Sequence, residues 1–258
     1  MGTISLIWQA ALAQKYVDSV LPKPKLPRLL KKKPRFFTLP DVAQIIATTQ
    51  DGGQHKALYW LLAETGLRPG LRVEDVLLDR ITVEQSVWGG KEQAPKSQSA
   101  VRSIAISPQL AELLWKQVAR QKAAGHSFLF TVSTGNALDM NMERARRLHP
   151  LLESLELPLS GYRAFRHFNV SLMDALRVPQ KTIQERIGHA LTGNFTLDVY
   201  GGQPEWSANE EAAAKLGNEI AKAVRHAEAN NNSQSSGCLT AISGLQNEKD
   251  SQSQIGSL

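Results

Sequence analysis

Most of the chain carries apolar residues at the three- and four-residue spacing of amphipathic helices, whereas two stretches alternate between apolar and polar positions as strands do. The helical spacing predicts helices over residues 4–17, 38–46, 55–67, 107–125, 140–155, 179–188 and 209–227, and a further helical segment that begins near Ser160. The alternating stretches, 81–87 and 101–106, predict two strands joined by a polar turn region. The pattern therefore predicts a mixed α/β fold that is mainly α-helical.

Residues with strong end preferences bracket several of these helices. Thr38 and Asp41 form a capping-box pattern with Pro40 in the first turn, so we expect the folded domain to begin here. Farther along, Pro179 suits the first position of a helix and Gly188 suits its carboxyl end. The residue after Gly188 is a histidine, which is then expected just past a helix end.

Composition divides the chain into four parts. Residues 23–35 contain seven lysines and arginines, no acidic residue and several prolines, which favours an extended basic segment able to follow a phosphate backbone; a solvated tether is the alternative. The last thirty residues, rich in Ser, Asn, Gln and Gly, lack the apolar content to pack. We therefore expect one short helix over 1–20, a basic Pro-rich linker over 21–37, a folded domain over 38–228 and a disordered tail over 229–258.

Charge and composition also exclude several classes of protein. The net charge of +6 and the pI near 9.5 suit a polyanionic partner, although many proteins are basic for other reasons. We find no apolar run long enough for a membrane span and no signal peptide. Cys238 is the only cysteine, so neither an intramolecular disulfide nor a cysteine metal cluster can form. The cytoplasm is the expected compartment.

The candidate chemistry lies in residues 161–201. Arg163 and Arg166 are one helical turn apart, just after Ser160 and Gly161, and the free backbone N–H groups at the start of a helix favour an anion. These features predict a phosphate-binding site. Taken singly, an arginine is usually a solvated charge, a histidine a structural group and a tyrosine a packing residue, so the combination carries the information.

The motifs resemble the signature of the tyrosine recombinases, the phage-integrase family. The resemblance rests on R-x-x-R-H at Arg163, I-G-H ending at His189 and T-L-D-V-Y ending at Tyr200, in this order. The T-G-L-R-P-G turn matches the first catalytic arginine to Arg68, and P-K-S-x-S-x-x-R-x-I matches the hairpin lysine to Lys96. The resemblance covers roughly residues 38–201 and implies the catalytic domain of the family, a helical bundle with a small antiparallel β-sheet.

The resemblance also implies a reaction on DNA that needs no ATP, metal ion or other cofactor. Tyr200 would attack a phosphodiester to form a 3′-phosphotyrosyl bond and free a 5′-hydroxyl. Arg68 and Arg166 would stabilise the charge on the non-bridging oxygens, and Lys96 would protonate the departing 5′-oxygen. His189 would bind the phosphate or position the tyrosine.

Further DNA contacts and partners follow from the same resemblance. Arg163 would donate to the phosphate, and the basic residues expected along the DNA backbone are Lys31, Lys32, Lys33, Arg35 and Lys91, the last being also a weaker candidate for the hairpin lysine. Arg144, Arg146 and Arg147 of the predicted 140–155 helix could also face DNA. The implied partners are double-stranded DNA and three further copies of the chain in a tetramer, without a membrane. Such enzymes serve phages and other mobile elements, and this one would associate with the nucleoid.

Four features depart from the family pattern. About one helical turn, including a glutamate, is missing after Gly70, and Arg163 stands where the family has a histidine. The interval from His189 to Tyr200 is about one residue longer than usual. The 4–17 helix resembles the last helix of a DNA-clamping domain whose remainder is absent, which suggests a truncated protein. A catalytically impaired DNA-binding remnant and a non-enzymatic basic interaction protein therefore stay open as alternatives.

Overall fold

The structure, a computed structural model, describes residues 2–19, 36–49, 53–67, 70–83, 86–88, 91–93, 102–188 and 206–253, and side chains throughout these ranges except over 86–93 and 234–253. The chain divides into two compact units, Met1–Pro34 and Arg35–Leu258. In the first unit, helix α1 (Gly2–Ala13) ends earlier than its apolar pattern predicts, and Trp8 Nε1 donates to Ser19 O at 2.8 Å. Ile4, Leu6 and Ile7 are exposed, since one helix cannot bury its own face.

Helices α2 (Leu39–Thr48) and α3 (Gln54–Thr65) open the second unit. The predicted capping box of α2 is confirmed: Thr38 Oγ1 accepts from Asp41 N at 3.4 Å, and Asp41 Oδ2 accepts from Thr38 N at 2.8 Å. Helix α3 is buried from Ala57 to Thr65 and ends at Gly66, whose backbone is left-handed with φ 62°. It packs against α2, α4 and α7 and is the central helix of the core.

The strands form two antiparallel pairs. Strand β1 (Arg80–Val83) pairs with β4 (Arg102–Ala105), with Ile81 opposite Ile104, as the alternation predicts. Strand β2 (Ser86–Trp88) pairs with β3 (Lys91–Gln93), so the predicted strand over 81–87 is divided and the predicted polar turn contains a strand. The alternation did not reveal β3 because its residues are all polar.

The predicted helix over 140–155 is interrupted. Helix α5 (Met140–Glu143) leads into a π-helical turn (Arg144–Leu148), in which His149 N donates to Arg144 O, five residues back, and helix α6 (His149–Ser154) follows. Pro150 explains the interruption, since proline lacks the N–H for an i→i−4 bond and its ring would clash with the carbonyl four residues earlier. The periodicity predicted the helix but not its wider turn.

Helix α4 (Pro108–Ala123) begins at the Ser107 cap, as predicted, and the last three helices of the described residues are α7 (Arg163–Ala175), α8 (Gln180–Ile187) and α9 (Trp206–Ser253). Leu216, Ile220 and Val224 of α9 are buried in the core. None of the described helices is long and apolar enough to cross a membrane. The mainly α-helical fold with small antiparallel strand pairs is confirmed.

Helix α9 extends beyond its predicted range of 209–227 at both ends. Ala227 is the last buried residue among its described side chains, and every side chain from 229 to 233 is exposed. The helical backbone nevertheless continues to Ser253. Disorder of the terminal segment stays a prediction.

A buried polar network joins α3 to the later elements. The Glu64 carboxylate accepts hydrogen bonds from Ser107 N at 2.6 Å, Ser107 Oγ at 2.7 Å and Trp60 Nε1 at 3.1 Å. Arg186, on α8, is also fully buried and donates to Ala105 O at 3.1 Å and to the side chain of Asn209. Burial raises the pKa of Glu64, whereas it lowers the pKa of Arg186 to about 10, which still leaves the guanidinium charged at neutral pH.

Glu64→Ala should strongly destabilise the fold. It removes the acceptor for Ser107 and Trp60 and leaves the buried charge of Arg186 uncompensated. We expect the free energy of unfolding to fall by about 3 kcal/mol or more, because three buried donor groups lose their acceptor at about 1–3 kcal/mol each. Urea unfolding followed by circular dichroism measures the change.

Glu112→Ala is the matched control for this variant. Glu112 pairs with Lys116 at 2.6 Å on the surface of α4, and exposed pairs of this kind contribute little to stability because water and salt screen them. Equal losses of stability in the two variants would contradict the structural role of Glu64.

The raised pKa of Glu64 also predicts a pH dependence. The folded state binds the Glu64 proton more tightly than the unfolded state does. Protonation of Glu64 therefore adds to the free energy of unfolding as the pH falls through the folded pKa towards the ordinary carboxyl pKa of about 4.3. Wild type should therefore gain stability relative to Glu64→Gln as pH decreases. Urea midpoints of both proteins between about pH 4 and pH 8 test this. A wild-type midpoint that falls relative to that of Glu64→Gln as the pH decreases would refute it.

Candidate active site

The structure describes the side chains of Arg163 and Arg166 among the predicted site residues. Lys91 lies in strand β3, and its side chain is outside the described part of the chain. The remaining predicted residues lie outside the described residues altogether; they are Arg68, Lys96, His189, Tyr200, Lys31, Lys32, Lys33 and Arg35. The segments that lead into Arg68 and His189 are described, however, and they end at Leu67 and Gly188.

Arg166 connects those two segments. Its Nη1 donates to Gly66 O at 3.0 Å, and its Nη2 donates to Ile187 O in a short hydrogen bond. Gly66 lies two residues before Arg68, and Ile187 lies two residues before His189. The half-buried guanidinium of Arg166 therefore brings together the ends of α3 and α8 from which two further predicted site residues continue.

Close packing at the end of α3 fixes the position of Arg166. A Cβ at Gly66 would lie 3.1 Å from Asn169 Oδ1 and 3.5 Å from Arg166 Cγ, so the glycine meets both a spatial and a conformational requirement. Asn169, one turn after Arg166 on α7, donates to Ala63 O at 2.9 Å and to Glu64 O at 2.8 Å. Two side chains of α7 thus bind the terminal carbonyls of α3 and hold the two helices in register.

Arg163 occupies a different environment from Arg166. It is the first residue of α7 and is exposed, and it makes no hydrogen bond to any other described residue. The helix starts later than the predicted Ser160 boundary: Tyr162 is the residue before the helix and provides no side-chain cap, and Ala164 N donates to Gly161 O at 2.9 Å. Arg163 therefore presents its charge to solvent at the amino end of α7.

Arg102 is a cation of this site that the sequence analysis did not single out. Its Nε donates to Arg186 O at 3.1 Å, and its Cζ lies 2.7 Å from where a Cβ on Gly188 would stand. Burial, followed by the neighbouring charge of Arg166, lowers the pKa of Arg102 to about 10. The sequence signal was present, because Arg102 is the arginine of the R-x-I pattern that follows Lys96.

The chain after Gly70 is extended where the resemblance implied a missing helical turn. Gly70 has φ 140°, and Leu71 O accepts from Leu129 N at 2.9 Å before a 3-10 helix (Val73–Asp75) begins. The carboxylates that follow serve local contacts: Glu74 pairs with Arg72 at 3.4 Å, and Asp75 Oδ2 accepts from Arg72 N at 2.6 Å.

Comparison with known proteins gives one significant curated relative. No family model matches the chain. This chain is 26% identical over 181 residues to a XerC-like tyrosine recombinase from Caldanaerobacter subterraneus subsp. tengcongensis. The match covers 58% of this chain and 46% of the relative. The chain therefore spans about half the length of that relative.

Solved structures agree with this match at the level of the fold. An integrase from mycobacterium phage Brujita matches with a TM-score of 0.52 and 16% identity, covering 83% of this chain and 69% of the integrase. The Tn1549 transposon integrase, solved in complex with transposon right end DNA, matches with a TM-score of 0.54 and 18% identity, covering 83% of this chain and 76% of that one. This chain thus resembles the tyrosine recombinases in sequence and has the fold of their catalytic domain.

Proposed function

We propose that this chain is a tyrosine-type site-specific recombinase, which cuts and rejoins DNA through a 3′-phosphotyrosyl intermediate. The observation that supports this most directly is the bridge that Arg166 makes between Gly66 O and Ile187 O. This bridge draws the segments before Arg68 and His189 towards a single guanidinium. The Tn1549 integrase was solved with DNA, and we extend double-stranded DNA as the substrate to this chain on the strength of its fold.

In this proposal Arg166 is a preorganised ligand for the phosphate. Two backbone carbonyls hold its planar guanidinium, so the charge is already in place when negative charge develops on the non-bridging oxygens. A donor fixed in this way commonly accounts for about 10²–10³ in rate. Arg68, which continues from the end of α3, supplies the second such donor.

The remaining catalytic roles follow the motif. Tyr200 is the nucleophile, Lys96 protonates the departing 5′-oxygen, and His189 binds the phosphate or orients the tyrosine. Arg163 donates to the phosphate from the amino end of α7. Because the tyrosyl linkage conserves the energy of the broken bond, rejoining needs neither ATP nor a metal ion.

DNA outside the reacting phosphate is bound by exposed basic residues. Arg144, Arg146 and Arg147 are exposed on the π-helical turn, and a Cβ on Gly161 would lie 3.5 Å from Arg144 Cδ, which puts this group next to the start of α7. The basic linker and Lys91 add further contacts. Four copies assemble on the DNA during strand exchange, at the nucleoid in the cytoplasm.

A catalytically impaired DNA-binding remnant is the second candidate. Arg163 in place of the family's histidine favours it, since a guanidinium cannot accept a proton near neutral pH. The extended chain after Gly70, which lacks the usual glutamate, favours it as well. In this alternative the arginines still bind phosphate while proton transfer fails.

Covalent trapping distinguishes these functions. A DNA duplex of the mapped attachment site, with a nick that lets the short 5′-hydroxyl fragment diffuse away, should accumulate a protein–DNA adduct that survives denaturation. Tyr200→Phe should form no adduct and should bind the same DNA with unchanged affinity. Denaturing gel electrophoresis of labelled DNA measures the first quantity, and a mobility shift measures the second.

The other outcomes each favour another function. A wild-type protein that shifts DNA without an adduct is the impaired remnant, and one that neither shifts nor cleaves DNA is a non-enzymatic interaction protein. An adduct that persists in Tyr200→Phe would show that another residue is the nucleophile.

Arg163→His tests whether the departure from the family pattern limits the rate. Imidazole can accept and release a proton near neutral pH, and positioned proton transfer contributes about 10²–10⁴ in rate. We expect at least about a tenfold faster initial rate of adduct formation at neutral pH.

Arg163→Lys serves as the control, because it keeps a positive charge without adding a proton acceptor of suitable pKa. Its rate should not exceed that of wild type. A faster rate in both variants, or a slower one in Arg163→His, would show that proton transfer at this position is not limiting.

A further inference from the structure

Arg102 and Arg166 bind neighbouring carbonyls of the same helix end. Arg102 Nε donates to Arg186 O, and Arg166 Nη2 donates to Ile187 O. The two side chains come from different elements, β4 and α7. Both accepting carbonyls belong to the last turn of α8. Two guanidiniums therefore converge just before the segment that continues from Gly188.

Gly188 allows Arg102 this close approach. Its backbone is left-handed with φ 63°, and the guanidinium of Arg102 occupies the space that a side chain would take, with Cζ 2.7 Å and Nε 3.1 Å from the ideal Cβ position. The glycine is thus required both to end the helix and to admit the arginine. Arg102 packs directly on the residue that precedes His189.

Two guanidiniums at the end of α8 form a site that suits an anion. A cation near a helix carboxyl end is favourable, but carbonyl groups carry only a partial negative charge. Placing two like charges side by side in a half-buried position is unfavourable, as the effect of Arg166 on Arg102 indicates. A phosphodiester supplies the full negative charge that offsets this repulsion, and guanidiniums suit its geometry.

We propose that Arg102 is a phosphate ligand of the recombinase site, which binds the same DNA phosphate as Arg166 while holding the turn at Gly188 through Arg186 O. This inference rests on the proposed function and adds a guanidinium to the motif residues. Arg102 follows Lys96 by six residues, so the same hairpin would deliver the general acid and this ligand to one phosphate.

Arg102→Gln separates the charge from the hydrogen bond. A glutamine amide can still donate to Arg186 O, but it carries no charge. The experiment measures DNA affinity between low and moderate salt. Each neutralised phosphate contributes about 0.9 to the slope of log K against log salt, and Arg166 still contacts this phosphate in the variant, so the slope should decrease in magnitude by up to about 0.9. Arg102→Lys should keep the wild-type slope.

Arg120→Gln is the matched control, because it removes an equal charge from an exposed arginine in the last turn of α4. Its slope should equal that of wild type. Thermal melting of each variant tests the structural alternative, in which Arg102→Gln lowers the melting temperature and leaves the slope unchanged. That outcome would overturn the proposal, as would equal slope changes in the variant and the control.

A second measurement applies even if Arg102→Gln does not fold. Arg102→Lys keeps the charge but lacks the planar fork, so adduct formation should be at least about tenfold slower than in wild type on a phosphodiester. On DNA with an uncharged methylphosphonate at the cleaved position, the two rates should become similar. A rate ratio that is the same on both substrates would assign Arg102 a purely structural role and overturn the proposal.

These results also separate failure of this inference from failure of the proposed function. Absence of any wild-type adduct on the phosphodiester removes the recombinase assignment, while a reduced slope in Arg102→Gln would still establish Arg102 as a phosphate ligand. Conversely, a wild-type adduct with an unchanged slope in Arg102→Gln would remove only the role of Arg102. Lack of wild-type DNA binding would overturn both.

Discussion

The carboxyl end of α3 is the junction on which the rest of the structure depends. The last carbonyls of a helix have no partner within it, and here side chains from two other helices supply the donors: Asn169 binds Ala63 O and Glu64 O, and Arg166 binds Gly66 O. Hydrogen bonds to charged groups are worth about 1.5–3 kcal/mol each. The helix end that would otherwise need water thus positions α7 and, through Arg166, α8.

A site made from helix ends follows from this junction. Arg68 continues from the end of α3 and His189 from the end of α8, while Arg166 contacts the last carbonyls of both. Below them, Glu64 and Arg186 form a second, fully buried layer that joins α3, α4, α8 and α9. Rigid backbone therefore supports charged side chains, an arrangement suited to stabilising a phosphate without large rearrangement.

The sequence predicted those features that depend on neighbouring residues. The cap at Thr38, the end of α8 at Gly188 and the pairing of β1 with β4 follow from local preferences and alternation. The burial of Glu64 against Ser107 and the approach of Arg102 to Gly188 join residues that are far apart in sequence, and no local pattern encodes them. The motifs predicted Arg166 as a site residue, but its bond to Gly66 O required the tertiary structure.

The π-helical turn at Arg144–Leu148 has a consequence for how this surface can evolve. It holds one residue more than a regular turn, so loss of one residue here would restore α-helical spacing while α5 and α6 keep their faces. The buried junction of α3, α7 and α8 includes none of these residues. A single-codon deletion could therefore change the spacing of the exposed arginines in this turn in one step, while the buried junction keeps its architecture.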